Sequence, residues 1–156
     1  MPPTSSPPGL RHLAHLSIEV GLPLEIGTTP AGRRRVIPIL GGTVDGPLLV
    51  GKVLPGGADF QLIRTATITE VHARYVLEMV AGDRIYVENT GYRTGSAEDI
   101  ERLGQGLPVD PDRIYFRSVP RFETESAQLD YLNSCIFVGA GERHPDRVEF
   151  DFYQVT

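Results

Sequence analysis

The chain has 156 residues, enough for one domain that buries its own core without disulfides or a structural metal. With 40% hydrophobic and 22% charged residues it has globular proportions, and a net charge of −5 excludes the basic footprint of a nucleic-acid binder. No apolar run approaches the roughly 20 residues that a membrane-spanning helix needs.

The opening "MPPTSSPPGL" is rich in proline and serine and lacks an apolar core, so residues 1–10 are expected to form a disordered lead, with no signal peptide. Residues 11–156 are expected to form a single domain. Strand signals begin with "HLSIEV" and continue through "RVIPILGGTV", "PLLVGKVL" and "FQLIRTATI", separated by "PAG", "DGP" and "PGGAD", all turn chemistry. Arg33, Arg34 and Arg35 form the one basic run, which reads as a solvated strand entrance.

The period-two pattern is clearest in "VHARYVLEM", where Val71, Ala73, Tyr75, Leu77 and Met79 share one face. His72, Arg74, Val76 and Glu78 share the other. "AGDR" then turns the chain into "RIYVENTG", predicting a hairpin. Ser96–Leu103 carries a serine cap and acidic residues in its first turn, the signature of a short helix. "IYFRSVPRFE", a second short helical stretch at Thr124–Leu132, "SCIFVGAGE" and the alternating "RVEFDFYQV" complete the chain.

About nine short strands with hairpin-like links predict an all-β sandwich or closed barrel. The absence of a βαβ rhythm argues against a parallel nucleotide-binding sheet. "GAGERH" lacks the third glycine and the helix of a dinucleotide fingerprint, and no G-x-S-x-G elbow is present. His12 and His15 stand in an H-x-x-H spacing without a third ligand nearby, so neither metal nor cofactor is expected. Cys135, the single cysteine, lies among Ile136, Phe137 and Val138; it reads as a buried filler and fits a cytoplasmic setting.

The remaining polar residues sit on or beside strands. Asp59 follows Gly56 and Gly57, where a carboxylate either caps its own turn or serves as a general base at a barrel mouth. His72 and Arg74 either form a solvated outer row or line a cavity, and alternation alone leaves both readings open.

Several ordered motifs resemble the DUF3237 family, also known as UPF0311. They are "GRRRVIPILGGTVDGPLLVGKVLPGGADFQLIRT", "VHARYVLEMVAGDRIYVENTGYR", "IYFRSVPRFET", the "YLN" of residues 131–133 and the closing "FDFYQV". The resemblance spans nearly the whole chain from about Leu16. It implies an antiparallel β-barrel similar to the lipocalin-like and allene-oxide-cyclase-like barrels, with about 8–10 strands and one or two short helices. For function it implies little. Gly56, Gly57 and Asp59 match the family's "GGAD" element, Arg74 and Tyr75 its "ARY", and Asn89, Gly91 and Arg93 the pattern after "IYV". Glu123, Tyr131 and Asn133 match the later "FET…YLN" region. Phe60 and Leu132 stand where tryptophan is common, and His72 stands where the family usually has aspartate, which implies a different substrate or acid/base partner.

On these grounds the expected function is a cofactor-independent enzyme that moves protons on a small organic molecule inside the barrel, as an isomerase, cyclase or lyase/hydratase. Asp59 is the expected base, with His72 or Glu123 as proton donor. Arg74, Asn89 and Arg93 would hold a developing oxyanion, and Phe60, Tyr75 and Tyr131 would form walls. A non-catalytic carrier or sensor of a small ligand is the alternative, favoured by an apolar interior. An interaction protein, favoured by a solidly packed barrel, is the third. The expected partner is a small molecule, with no nucleic acid and no membrane; a homo-oligomer through outer apolar strands is compatible with the pattern.

Overall fold

The computed structural model describes residues 1–156. The first nine carry no helix or strand and are exposed. Ten strands follow: β1 (Leu10–Val20), β2 (Leu24–Thr29), β3 (Gly32–Asp45), β4 (Gly51–Val53), β5 (Ala58–Thr65), β6 (Ile68–Met79), β7 (Arg84–Thr94), β8 (Tyr115–Glu123), β9 (Phe137–Arg143) and β10 (Arg147–Val155). One helix, α1 (Ala97–Gly104), and two short 3₁₀ segments, Pro111–Arg113 and Ala127–Asn133, interrupt the strand series.

All pairings are antiparallel, and β1 pairs with both β10 and β3, which closes the sheet. Two of the barrel staves are interrupted strands. β1 and β2 both run against β3, from His15↔Asp45 through to Thr29↔Gly32, with a break at Gly21–Pro23. β4 and β5 both run against β6, from Gly51↔Met79 to Thr65↔Ile68, with the break at Leu54–Gly57. The result is a closed eight-stranded antiparallel barrel with short helices, as the strand spacing and the family resemblance led us to expect.

The β6–β7 hairpin forms with Glu78 opposite Arg84. Val71, Tyr75, Leu77 and Met79 are buried on its inner face. "FQLIRTATI" is not one strand, however. Thr65 Oγ1 accepts the Thr67 N–H at 3.3 Å, and this hydroxyl turn folds β5 back into β6. β2 was not anticipated. It pairs only with β3 and leaves Leu24 and Ile26 exposed, so it lacks the alternation of a half-buried strand. The stretch expected as helix at Thr124–Leu132 is the 3₁₀ segment Ala127–Asn133. Ser96 caps α1 by accepting the Asp99 N–H, and Asp99 pairs with Arg113 at 2.8 Å, which holds the helix over one end of the barrel.

The interior changes character along the barrel axis. Inner positions of β7 read Ile85, Val87, Asn89, Gly91 and Arg93, so the strand is apolar at one end and polar at the other. The apolar end is filled by Leu13, Leu16, Leu77, Phe122, Phe137 and Phe152. The polar end lies beneath α1.

Candidate functional site

β5 sends Asp59 and Gln61 inward, β6 sends Tyr75, and β7 sends Asn89 and Arg93. These five line one internal cavity of about 30 Å³ with Ile37, Phe116 and Phe150. Gln61, Tyr75, Asn89 and Arg93 are all at most 5% exposed. Asp59 is half-buried as a residue and borders the cavity.

Asp59 does not cap the glycine turn. Its Oδ2 accepts from Gln61 Nε2 at 2.8 Å and its Oδ1 accepts the His72 backbone N–H at 2.9 Å. The carboxylate thus takes over one main-chain donor of β6 beside its own pairing with Ala73. Burial raises its pKa above the usual carboxylate value; the two hydrogen bonds and the Arg93 charge oppose this without cancelling it. Burial and the Asp59 charge push the Tyr75 phenol up as well, so it stays a neutral O–H donor. Burial lowers Arg93 to about 10, which leaves it a cation at neutral pH.

Five buried atoms here have no hydrogen-bond partner in the protein: Gln61 Oε1, Tyr75 OH, Asn89 Oδ1, Arg93 Nε and, from β3, Arg35 Nε. Unpaired polar atoms are rare in protein interiors, and four around one cavity with a fifth close by mark a place shaped to meet polar groups from outside. A wider vestibule of about 380 Å³ adjoins the cavity. Arg35, Thr69, Ile63, Ile100 and Gly104 line it, and it shares Gln61 and Arg93 with the inner cavity.

The other expected residues lie elsewhere. His72 and Arg74 belong to the outer row of β6. The imidazole bonds Glu88 at 2.9 Å, Arg74 stands 3.8 Å from the same carboxylate, and of this pair only the His72 main chain reaches Asp59. The His72 bond is the main influence holding Glu88 below the usual carboxylate range. Phe60 points outward and is 47% exposed, so it walls no cavity. Glu123 is exposed at the end of β8, in a separate trough with Tyr86, Arg121 and Cys135. Tyr131 packs against the apolar core beside Cys135, and Asn133 is taken up with Thr124 and Asp130. Alternation could not assign these faces. The signal that separates them is company: Tyr75 alternates with Leu77 and Met79, whereas His72 and Arg74 alternate with Glu78.

Arg35 and Gln61 were not among the expected site residues. Arg35 is 4% exposed, unlike the solvated entrance that the arginine run suggested. Its parity with Ile37 and Ile39 was the available signal.

Two other surface features compete for attention. The largest concavity, about 720 Å³, is an open trough across the outer faces of β6 to β9, with Arg34, Glu70, His72 and Arg117 along it. Its charges face solvent, where a high dielectric weakens each of them. Glu142, His144 and Glu149 bring ligand atoms within 4.8 Å of one another, but Arg147 Nε already donates to Glu149 at 3.1 Å. Each holds one buried atom without a hydrogen-bond partner, Ser118 Oγ in the trough and His144 Nε2 in the cluster, against five at the polar end of the barrel.

A family model described as "Protein of unknown function (DUF3237)" matches residues 8–155. The chain belongs to the DUF3237 family. Among curated relatives of this DUF3237 protein, a UPF0311 protein of Rhodopseudomonas palustris is 50% identical over 131 residues, 84% of each chain. The crystal structure of a conserved protein of unknown function, also from Rhodopseudomonas palustris, superposes with a TM-score of 0.92 at 41% identity, covering 97% of this chain and 100% of that one. A structure described as an enzyme from Penicillium herquei shares the fold at a TM-score of 0.73 and 17% identity, with each chain fully covered.

The glycines before Asp59 have distinct tasks. Gly56 adopts φ +107°, which the turn requires. A Cβ on Gly57 would collide with the Arg74 carbonyl and sit 2.6 Å from Tyr75 Cβ. Gly57→Ala is therefore expected to push β5 off β6, displace Asp59 and cost about 1–3 kcal/mol, read as a lower denaturant midpoint.

Proposed function

We propose that this DUF3237 protein is a cofactor-independent enzyme that moves protons on a small organic molecule at the junction of vestibule and inner cavity. The observation that carries this reading is Asp59, an enclosed carboxylate with a raised pKa, facing the unpartnered Tyr75 hydroxyl, Asn89 and Arg93.

The chemistry follows from those groups. Ionised Asp59 takes a proton from a carbon next to a carbonyl and becomes the neutral acid. The electron pair moves onto the carbonyl oxygen, and the resulting oxyanion accepts hydrogen bonds from Tyr75 O–H and an Arg93 N–H. A well-aimed donor of this kind is worth about 3–4 kcal/mol. Asp59 then returns the proton to a different carbon in an isomerisation, or after ring closure or addition in a cyclase or lyase/hydratase. The proton donor's part first expected of His72 or Glu123 thus falls to the Asp59 carboxyl itself, and Tyr75 supplies only a hydrogen bond. The inner cavity is water-sized, so the substrate body lies in the vestibule and only the reacting end passes Gln61 and Arg93.

A passive carrier is better served by an apolar pocket, and the polar cluster here weighs toward chemistry. The Penicillium herquei structure that shares this fold is described as an enzyme, which supports the reading. The test is proton exchange. Small ketones and unsaturated carbonyl compounds are incubated with the protein in D₂O, and carbon-bound deuterium is followed by NMR. The wild type is expected to catalyse exchange in at least one compound, and Tyr75→Phe to slow it about 10²-fold. Exchange that is as fast in Asp59→Asn as in the wild type would sink the assignment.

A further inference from the structure

Three arginines gather at the polar end of the barrel: Arg35 from β3, Arg93 from β7 and Arg143 from β9. The charges of Arg35 and Arg143 both disfavour that of Arg93, and Asp59 is the acid shared by all three. Arg143 Nη1 is satisfied by the His144 and Arg147 carbonyls. Arg35 has a 3.5 Å contact to the Gly104 carbonyl and lies 3.7 Å from half-exposed Glu25. Arg93, 5% exposed, lies over the Phe116 ring at 5.5 Å and forms no salt bridge. Nε of both Arg35 and Arg93 is without a partner. Both arginines line the vestibule, which shares Gln61 and Arg93 with the cavity of Asp59; exposed Arg33 and exposed Glu101 also line it.

Buried cations of one sign around an accessible space create a strong local preference for an anion. The vestibule walls also include Ile63, Ala66, Ala97 and Ile100, an apolar lining that an inorganic anion would leave uncovered. A guanidinium presents a planar fork that a carboxylate matches with two parallel hydrogen bonds. At about 30 Å³ per water-sized group, the vestibule has room for roughly a dozen heavy atoms.

The geometry points to a small organic carboxylate as the substrate class: Arg93 and Arg35 clamp the carboxylate, Ile63 and Ile100 cover the carbon skeleton, and the chain is oriented toward Asp59. The orientation toward Asp59 rests on the proton-transfer reading given above; the anion clamp stands without it.

Calorimetric titration with phenylacetate, its uncharged analogue phenylacetamide and inorganic phosphate tests this. The wild type is expected to bind phenylacetate at least tenfold more tightly than phenylacetamide. Arg93→Met should abolish that preference, while Arg34→Met, at the neighbouring outward position, should keep it. Circular dichroism checks the fold of Arg93→Met. If it does not fold, Arg93→Lys serves instead, keeping the charge without the fork, and should weaken phenylacetate several-fold. Equal affinity for acid and amide, or no binding of either, overturns the inference. Phosphate binding as tight as phenylacetate with the same Arg93 dependence overturns it too, by marking an inorganic-anion site. Asp59→Asn is expected to retain the phenylacetate preference. Carboxylate preference without proton exchange in any compound would remove the proton-transfer reading alone, and exchange confined to uncharged ketones with no carboxylate preference would remove the clamp alone.

Discussion

Asp59→Asn is expected to lower proton-transfer activity by about 10²–10⁴-fold while making the protein more stable at neutral pH. The two effects share one cause. Burial raises the Asp59 pKa, so the folded chain holds this proton more tightly than the unfolded chain does. The stability contributed by that proton is fully present below the unfolded value of 3.8 and is lost as pH rises through the raised folded value. Asparagine keeps the shape without the charge. Its Oδ1 can still accept the His72 N–H, and Gln61 can turn its unpartnered Oε1 toward the new Nδ2. A tenfold change in acid constant is worth about 1.4 kcal/mol, and each kcal/mol moves Tm by about 2–4 °C in a domain of this size. Melting curves should therefore show Asp59→Asn above the wild type at about pH 8, with the gap closing toward pH 4. Equal melting temperatures across that range would mean that Asp59 is not strained by its surroundings.

The second large effect lies at the opposite end of the barrel. Phe152→Ala is expected to cost about 3–5 kcal/mol, a large share of the roughly 5–15 kcal/mol that holds a domain together. Phe152 is fully buried, with ring centroids 5.5 Å from Phe150 and 5.8 Å from Phe122, so truncation opens a cavity among close-packed rings. Phe60→Ala, on the outer face, should stay within about 1 kcal/mol. Denaturant midpoints compare the two. A loss at Phe60 as large as at Phe152 would contradict the placement of inside and outside. The apolar end is thus a packed base, and it holds β5, β6 and β7 in the register that brings Asp59, Tyr75, Asn89 and Arg93 together.

The regular strands were legible because each carries an apolar run on its inner face. β6 with Tyr75, Leu77 and Met79, β7 with Ile85 and Val87, and β10 with Phe150 and Phe152 all declare a buried side through alternation. β2 escaped notice because it has no buried side, and the β5–β6 turn because threonine hydroxyls made it without glycine or proline. The site was harder. Asp59, Tyr75, Asn89 and Arg93 were identified as candidates and do share a cavity. His72, Arg74, Phe60 and Glu123 were grouped with them by motif, and the strand pleat turns each one outward. Motif spacing reports proximity along the chain, whereas the pleat separates neighbours by the thickness of the wall. Arg35 was hidden in a run whose other members are an exposed Arg33 at the vestibule, paired with Glu25, and Arg34 in an outer trough.

The barrel holds Asp59 as an enclosed base, and direct titration of its carboxyl carbon by ¹³C NMR tests this without any substrate. The expected midpoint lies clearly above 3.8 in the wild type and rises further in Arg93→Met, because the Arg93 charge is one of the influences that lower it. A midpoint at or below 3.8 would contradict the account and return Asp59 to the role of an ordinary structural carboxylate.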